Sequence, residues 1–264
     1  MAEKVVIGNA ELWHGDCLEV LPLLPEYDTI ISDPPYEIRN KFGESDLYGK
    51  RLMQFHFDEV GITNDVVIPA LDIAFSKSQS FHVFCEPEQY AFIAETARKN
   101  GMTPKPFAKV KLCSPPPMPG NWWPSGFELA MYGYKPGAYF GDQSAKRSNI
   151  IVADSYRNGI RASEKIDHPT QKWLPMMEKI VFALVPLGGI AVDPFMGSGT
   201  TGVACMNLDR HFIGIEKERK YFDIACERIE NAQRQSQLLP PDEKVGAGKT
   251  AVQADLLPVA DAKV

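Results

Sequence analysis

The feature that most constrains this chain is a repeated local event, a short apolar run that stops at a carboxylate. The run at 28–32 stops at Asp33, 80–85 at Glu86, 189–192 at Asp193 and 211–215 at Glu216. Each has strand length, and the runs at 10–14, 107–112 and 127–132 read as strands too. Apolar residues recur at helical spacing over 66–76, 89–100, 173–184 and 221–234, with a shorter helical turn at 18–24. Gly101 closes the 89–100 segment. Strands alternating with helices predict an α/β chain with a doubly wound, mostly parallel sheet. Parallel strands end on one edge, where ligands bind in such sheets, so the four acids are expected to gather there.

The 264 residues suffice for one such domain, expected over 1–234, with a Pro-, Gly- and Ala-rich tail at 235–264 that reads as disordered. No apolar run approaches the roughly 18–20 residues needed to span a bilayer, and the first nine residues lack the apolar stretch of a secretory leader. Cys17, Cys85, Cys113, Cys205 and Cys226 are scattered without a Cys-x-x-Cys pair. That argues for a reducing cytoplasm and against a disulfide framework or a metal site. The net charge of −6 conceals a strong asymmetry. Residues 1–97 carry 6 Lys and Arg against 17 Asp and Glu, whereas residues 98–172 carry 12 against 5. A basic block inside an acidic chain suits a face that meets phosphates, although an unevenly charged surface would read the same way.

Residues 193–201, Asp-Pro-Phe-Met-Gly-Ser-Gly-Thr-Thr, follow a strand and open a helix. Gly197, Gly199 and Gly202 have dinucleotide-loop spacing, and Glu216 stands nineteen residues after Gly197, where an acid can hold ribose hydroxyls. Two features weigh against a nicotinamide cofactor. Little chain remains to build a second nucleotide-binding half, and an acid at the strand end suits an amine-bearing ligand better than a pyrophosphate. No Gly-Lys-Ser/Thr follows, which excludes a P-loop.

Asp33-Pro34-Pro35-Tyr36 leaves the sheet abruptly, because two prolines cannot continue a central ladder. A carboxylate and a free backbone carbonyl side by side can accept both N–H bonds of an exocyclic amine. That draws the nitrogen towards tetrahedral geometry and frees its lone pair for attack. Tyr36 adds a ring on which a base can stack, worth roughly 1–3 kcal/mol.

Together these residues resemble the amino-group DNA methyltransferases of the beta-class order, in which Asp-Pro-Pro-Tyr precedes the Phe-x-Gly-x-Gly loop. The resemblance rests on four blocks: Gly15-Asp16, Asp33 to Tyr36, His168-Pro-Thr-Gln-Lys172, and Asp193 to Thr201 with Glu216. It implies a seven-stranded, Rossmann-like, circularly permuted methyltransferase domain that uses S-adenosyl-L-methionine. It also implies that Phe195, Gly197, Ser198, Gly199 and Thr200 lie against that cofactor, with Asp193 near its amino acid portion and Glu216 on its ribose. Asp16 and Cys17 would lie by its adenine, and His168, Thr170 and Lys172 would close over the methionine end. Asp33, Pro34, Pro35 and Tyr36 would carry the chemistry. Trp173 stands where the family usually has proline, a packing change at a helix start. Asp at the head of the tetrapeptide favours adenine-N6 over cytosine-N4, the alternative with the same mechanism.

A base must leave the duplex to reach such a site. The stretches 37–63 and 140–165 are the expected target-recognition loops. Arg39, Lys41, Lys109, Lys111, Arg147, Arg157 and Arg161 are the expected DNA contacts, mostly to phosphates. Trp122-Trp123 reads more readily as loop packing than as a stacking wedge. DNA is the implied partner, with a homodimer among the assemblies found in relatives.

Overall fold

The computed structural model describes residues 2–36, 62–111, 127–141, 149–153 and 172–238. Nine strands form one sheet among them: β1 Glu3–Ile7, β2 Ala10–His14, β3 Tyr27–Ser32, β4 Ser78–Phe84, β5 Thr103–Lys111, β6 Phe127–Tyr134, β7 Ile150–Ala153, β8 Ile190–Asp193 and β9 His211–Glu216. Their spatial order is β1-β2-β9-β8-β3-β4-β6-β5-β7. Only β1 and β6 run against the rest, so the sheet is mostly parallel, as expected.

The seven strands from β2 to β5 in that order are the expected set; β1 and β7 add one strand at each edge, correcting the count. β1 has only a three-residue apolar run, Val5–Ile7, pairs with β2 alone at the sheet edge, and leaves most of its side chains exposed. β7 is a four-residue strand inside the basic stretch, paired along Ala108–Lys111. β3, at the centre, is buried at five of its six positions, as a strand covered on both faces must be.

Among the described residues, six α-helices cover the two faces: α1 Cys17–Val20, α2 Ile68–Lys77, α3 Pro87–Lys99, α4 Leu174–Leu184, α5 Thr200–Asn207 and α6 Arg219–Leu238. A π-helical turn, Thr63–Val67, leads into α2. On one face Val67, Leu71, Phe75 and Ile93 pack with Ile30 and Phe81. On the other, Met176, Val181, Val203, Phe222 and Ile229 pack with Ile31, Phe84 and Phe212. The helix α6 continues to Leu238, past the expected end at 234. The Ser236 hydroxyl there donates to the Gln233 carbonyl at 3.0 Å, so polar residues extend the helix instead of ending it.

Helix α5 lies against β9 and α6 through Gly202, where a Cβ would come within 2.8 Å of the buried Phe212 ring and 2.4 Å of Ile229 Cδ1. Gly202→Ala is therefore expected to lower stability by about 1–3 kcal/mol through overpacking, measured by urea denaturation. Unchanged stability would show that α5 can move away from the sheet freely.

Candidate active site

The strand-ending acids do meet on one edge, and a single buried hydrogen bond joins the two motif-bearing strands. β3 and β8 are parallel neighbours. From their adjacent ends, the Ser32 hydroxyl donates to Asp193 Oδ1 at 2.6 Å. The Thr201 hydroxyl donates to Oδ2 at 2.9 Å and the Phe195 amide to Oδ1 at 3.2 Å. Burial pushes the Asp193 carboxyl up to about 7, against the pull of these three donors. Both Asp193 oxygens thus hold the glycine loop from within, and the residue is almost fully buried.

The loop itself is fixed from two sides. Glu216 accepts the Gly197 amide on Oε2 and the Glu218 amide on Oε1, both at 2.8 Å. Burial raises its pKa, and these amides oppose the rise. Gly199, at φ +76°, caps α5 in the left-handed region. From α6, Arg228 donates to the Ser198 carbonyl, to the Ser198 hydroxyl at 3.1 Å and to the Thr200 hydroxyl at 3.2 Å. Ser198 and Thr200 are buried under this clamp, so their side chains serve the loop's shape; Phe195 and Gly197 are its half-exposed members.

β2 reaches the same edge. The Gly15 amide donates to the Glu216 carbonyl at 3.0 Å. Asp16 caps α1 by accepting the Leu18 amide at 2.9 Å, and its other oxygen lies 3.4 Å from Lys217. Cys17 is buried, its thiol pushed up to about 12 by burial and by Asp16, which keeps it unreactive.

The tetrapeptide stands beside this loop. Tyr36 donates its hydroxyl to Asp33 Oδ1 at 2.5 Å, and Lys172 Nζ lies 2.9 Å from Oδ2. Burial first, and the Asp33 charge second, raise the Tyr36 phenol well above its ordinary value, so it remains a donor. Behind the turn, Gln89 donates to the Pro35 carbonyl at 3.0 Å and to the Thr63 hydroxyl at 3.2 Å. Its side-chain oxygen accepts the Glu86 amide at 3.2 Å, completing a capping box at the start of α3. No described residue donates to the Pro34 carbonyl.

Lys172 rests over the Phe84 ring, 4.3 Å from its centroid, and lies 3.7 Å from Glu128. Burial alone would lower its pKa, but Asp33 and Glu128 more than compensate and hold it up. Beneath, His82 stacks edge-on with Phe84 and Phe107, and burial lowers its pKa to about 3.

Not every expected residue falls here. Lys109 was expected to meet DNA, but it is buried, with Nζ 3.3 Å from both Glu128 oxygens. Its register sets it opposite Glu128 with its side chain turned inward, which does not suit a phosphate contact. Lys111 belongs to β5, and its side chain lies outside the described residues, as do Arg39, Lys41, Arg147, Arg157, Arg161, His168, Thr170 and Trp122-Trp123. Sequence reasoning missed Ser32, Gln89, Glu128 and Arg228. The Glu86-x-x-Gln89 spacing was the one legible signal among them. Among the described residues, no cluster suits a metal ion and no helix is long and apolar enough to cross a membrane.

A family model described as DNA methylase (N6_N4_Mtase) matches residues 27–227. A segment of 63 residues is 49% identical to the type II methyltransferase M2.DpnII of Streptococcus pneumoniae, covering 24% of each chain. The match thus spans about a quarter of that relative's length. The fold is similar to that of the M1.HpyAVI–SAM complex, with a TM-score of 0.62 and 27% identity over 83% of this chain and 99% of the other. PvuII DNA methyltransferase (cytosine-N4-specific) is alike in fold alone, with a TM-score of 0.64 over 94% of both chains and 14% identity.

Two outcomes follow from the geometry. Gln89→Leu leaves the Pro35 carbonyl and Thr63 without this donor and is expected to cost about 1–3 kcal/mol in urea denaturation. A neutral effect would mean that the turn holds itself. For Asp193, a folded pKa raised from 3.8 to about 7 means the proton binds more tightly in the folded state. Its contribution is complete below about pH 4 and is lost as pH rises through 7. The stability difference between wild type and Asp193→Asn should therefore shrink by on the order of 1 kcal/mol or more across that window. A flat difference would show that the three donors win and the carboxylate is ionised throughout.

Proposed function

This chain belongs to the DNA methylase family, and from that premise we propose that it moves a methyl group from S-adenosyl-L-methionine to the exocyclic N6 of an adenine extruded from DNA. The observation that carries this reading is the pairing of the Asp33–Tyr36 turn with the glycine loop across the Ser32–Asp193 bond. An acceptor pair for an amine and a cradle for a nucleoside are thereby held on adjacent strand ends.

The donor set fits the cofactor. Glu216 spends one lone pair of each oxygen on a backbone amide, and the second pairs remain for vicinal ribose hydroxyls. Phe195 offers a half-exposed ring, and Asp16 lies at the neighbouring strand end. Bound there, S-adenosyl-L-methionine supplies an electrophilic methyl on a sulfonium.

The chain's own residues prepare the nucleophile. Asp33 accepts one amine N–H and the Pro34 carbonyl accepts the other, since Gln89 already engages Pro35. The two acceptors localise the nitrogen lone pair, which forms the new N–C bond as the S–C bond breaks. The methylated nitrogen then releases a proton to solvent water, leaving a neutral methylamine. Tyr36 fixes one Asp33 oxygen and offers its ring to the flipped base. Preorganised acceptors of this type contribute on the order of 10²–10³ in rate. Asp rather than Ser at position 33 is what favours adenine over cytosine.

The test is methyl transfer from labelled S-adenosyl-L-methionine to unmethylated plasmid DNA, followed by nucleoside mass spectrometry. Label is expected in N6-methyladenine, and Asp33→Ala should lose at least about 10²-fold in rate while retaining cofactor affinity. Label in N4-methylcytosine would correct the base and keep the mechanism. An Asp33→Ala enzyme within a few-fold of wild type would overturn the assigned chemistry.

A further inference from the structure

Four charges of alternating sign run along the sheet edge: Lys109 on β5, Glu128 on β6, Lys172 and Asp33. Lys109 and Glu128 face each other across the β5–β6 ladder, and Glu128 Oε2 lies 3.7 Å from the same Lys172 that sits 2.9 Å from Asp33. We propose that Glu128 is a positioning residue, the second seat of Lys172, to which the ammonium withdraws when the target amine takes its place on Asp33. This rests on the reading of Asp33 as the amine's acceptor.

The argument is one of competition. In the structure both Asp33 oxygens already accept a donor, Tyr36 on Oδ1 and Lys172 on Oδ2. An arriving amine must take the remaining lone pair of one of those oxygens, where an ammonium already bonded at Oδ2 weakens the acceptor and competes for the approach, and Tyr36 belongs to the same rigid turn. Lys172 is the partner that can leave. Yet only 13% of its side chain is exposed, and a buried ammonium without a carboxylate is costly. The Phe84 ring at 4.3 Å stabilises a cation but does not neutralise it. Glu128 removes the difficulty, because a shift of about 1 Å brings Lys172 from its present separation to charge-assisted hydrogen-bond length. Lys109, on the far side, lies 3.3 Å from both Glu128 oxygens and fixes where that second seat stands.

The rival role for Glu128 is simply to neutralise buried Lys109, and the two are separable. Single-turnover methyl transfer to unmethylated plasmid DNA is measured for wild type, Glu128→Gln, Lys109→Met and the double variant. Cofactor affinity comes from calorimetry and folding from thermal melting. Glu128→Gln should lose about 10-fold or more in rate, with the cofactor Kd within about 3-fold of wild type. The same loss should persist on adding Glu128→Gln to Lys109→Met, where no lysine remains at 109 to be neutralised. If Glu128→Gln alone fails to fold, the comparison of the double variant with Lys109→Met carries the test. A rate within about 2-fold of wild type overturns the proposal, as does a loss confined to Kd or one that vanishes in the Lys109→Met background. Asp33→Ala run alongside separates the two levels. If that enzyme is active, the reading of Asp33 fails; if it is dead while Glu128→Gln behaves as wild type, only the role of Glu128 fails.

Discussion

The site depends on the hydrogen bond from Ser32 to Asp193. β3 and β8 come from sequence positions more than 150 residues apart, and each delivers its motif at the point where it leaves the sheet. The bond fixes those exits relative to each other, and Thr201 and the Phe195 amide extend it into the glycine loop. A buried hydrogen bond contributes about 0.5–1.5 kcal/mol against a typical domain's net stability of about 5–15 kcal/mol. Its greater effect is geometric, because the tetrapeptide and the loop are held by one buried group and cannot drift separately.

Around that bond, the edge is built of charges that satisfy one another. Glu216 takes two backbone amides, Asp16 caps a helix, Arg228 braces the loop from α6, and Lys172 sits between two carboxylates. Apolar residues close the other side of several of these groups, as Phe84 does beneath Lys172. Low local polarity makes each satisfied contact stronger and each missing one more expensive. Such an edge resists small distortions until a ligand offers replacement partners.

The sheet and its functional edge were legible because they follow from local rules. Strand-length apolar runs ended at Asp33, Asp193 and Glu216, and parallel topology did the rest. What escaped depended on long-range register. Lys109 looks like a phosphate contact in a basic stretch, but whether a strand lysine faces out or in is set by its partner strand, here Glu128 on β6. Arg228 reads as one more charge on an amphipathic helix, and nothing local says that it reaches Ser198, 30 residues earlier. Ser198 and Thr200 read as cofactor contacts in a glycine loop, yet their hydroxyls turn to Arg228. Ser32 looks like an ordinary strand residue until β8 stands next to it. The edge strands β1 and β7 do carry apolar runs, Val5–Ile7 and Ile150–Ala153, but runs this short give no period, and only pairing with β2 and β5 makes them strands.

The strand order also dictates when this protein can acquire its site during synthesis. β2 and β3 are made early, yet they are separated in the sheet by β9 and β8, which leave the ribosome more than 150 residues later. Until then the early strands lack their inner neighbours, and Asp33 has no Asp193 strand to stand beside. Vectorial folding from the N-terminus therefore cannot finish the middle of this sheet. A nascent chain must carry β3 and β4 with an open, apolar strand edge and wait for the late pair to insert. Such an interval leaves an apolar edge open, and no partly made copy holds both motifs of the site together.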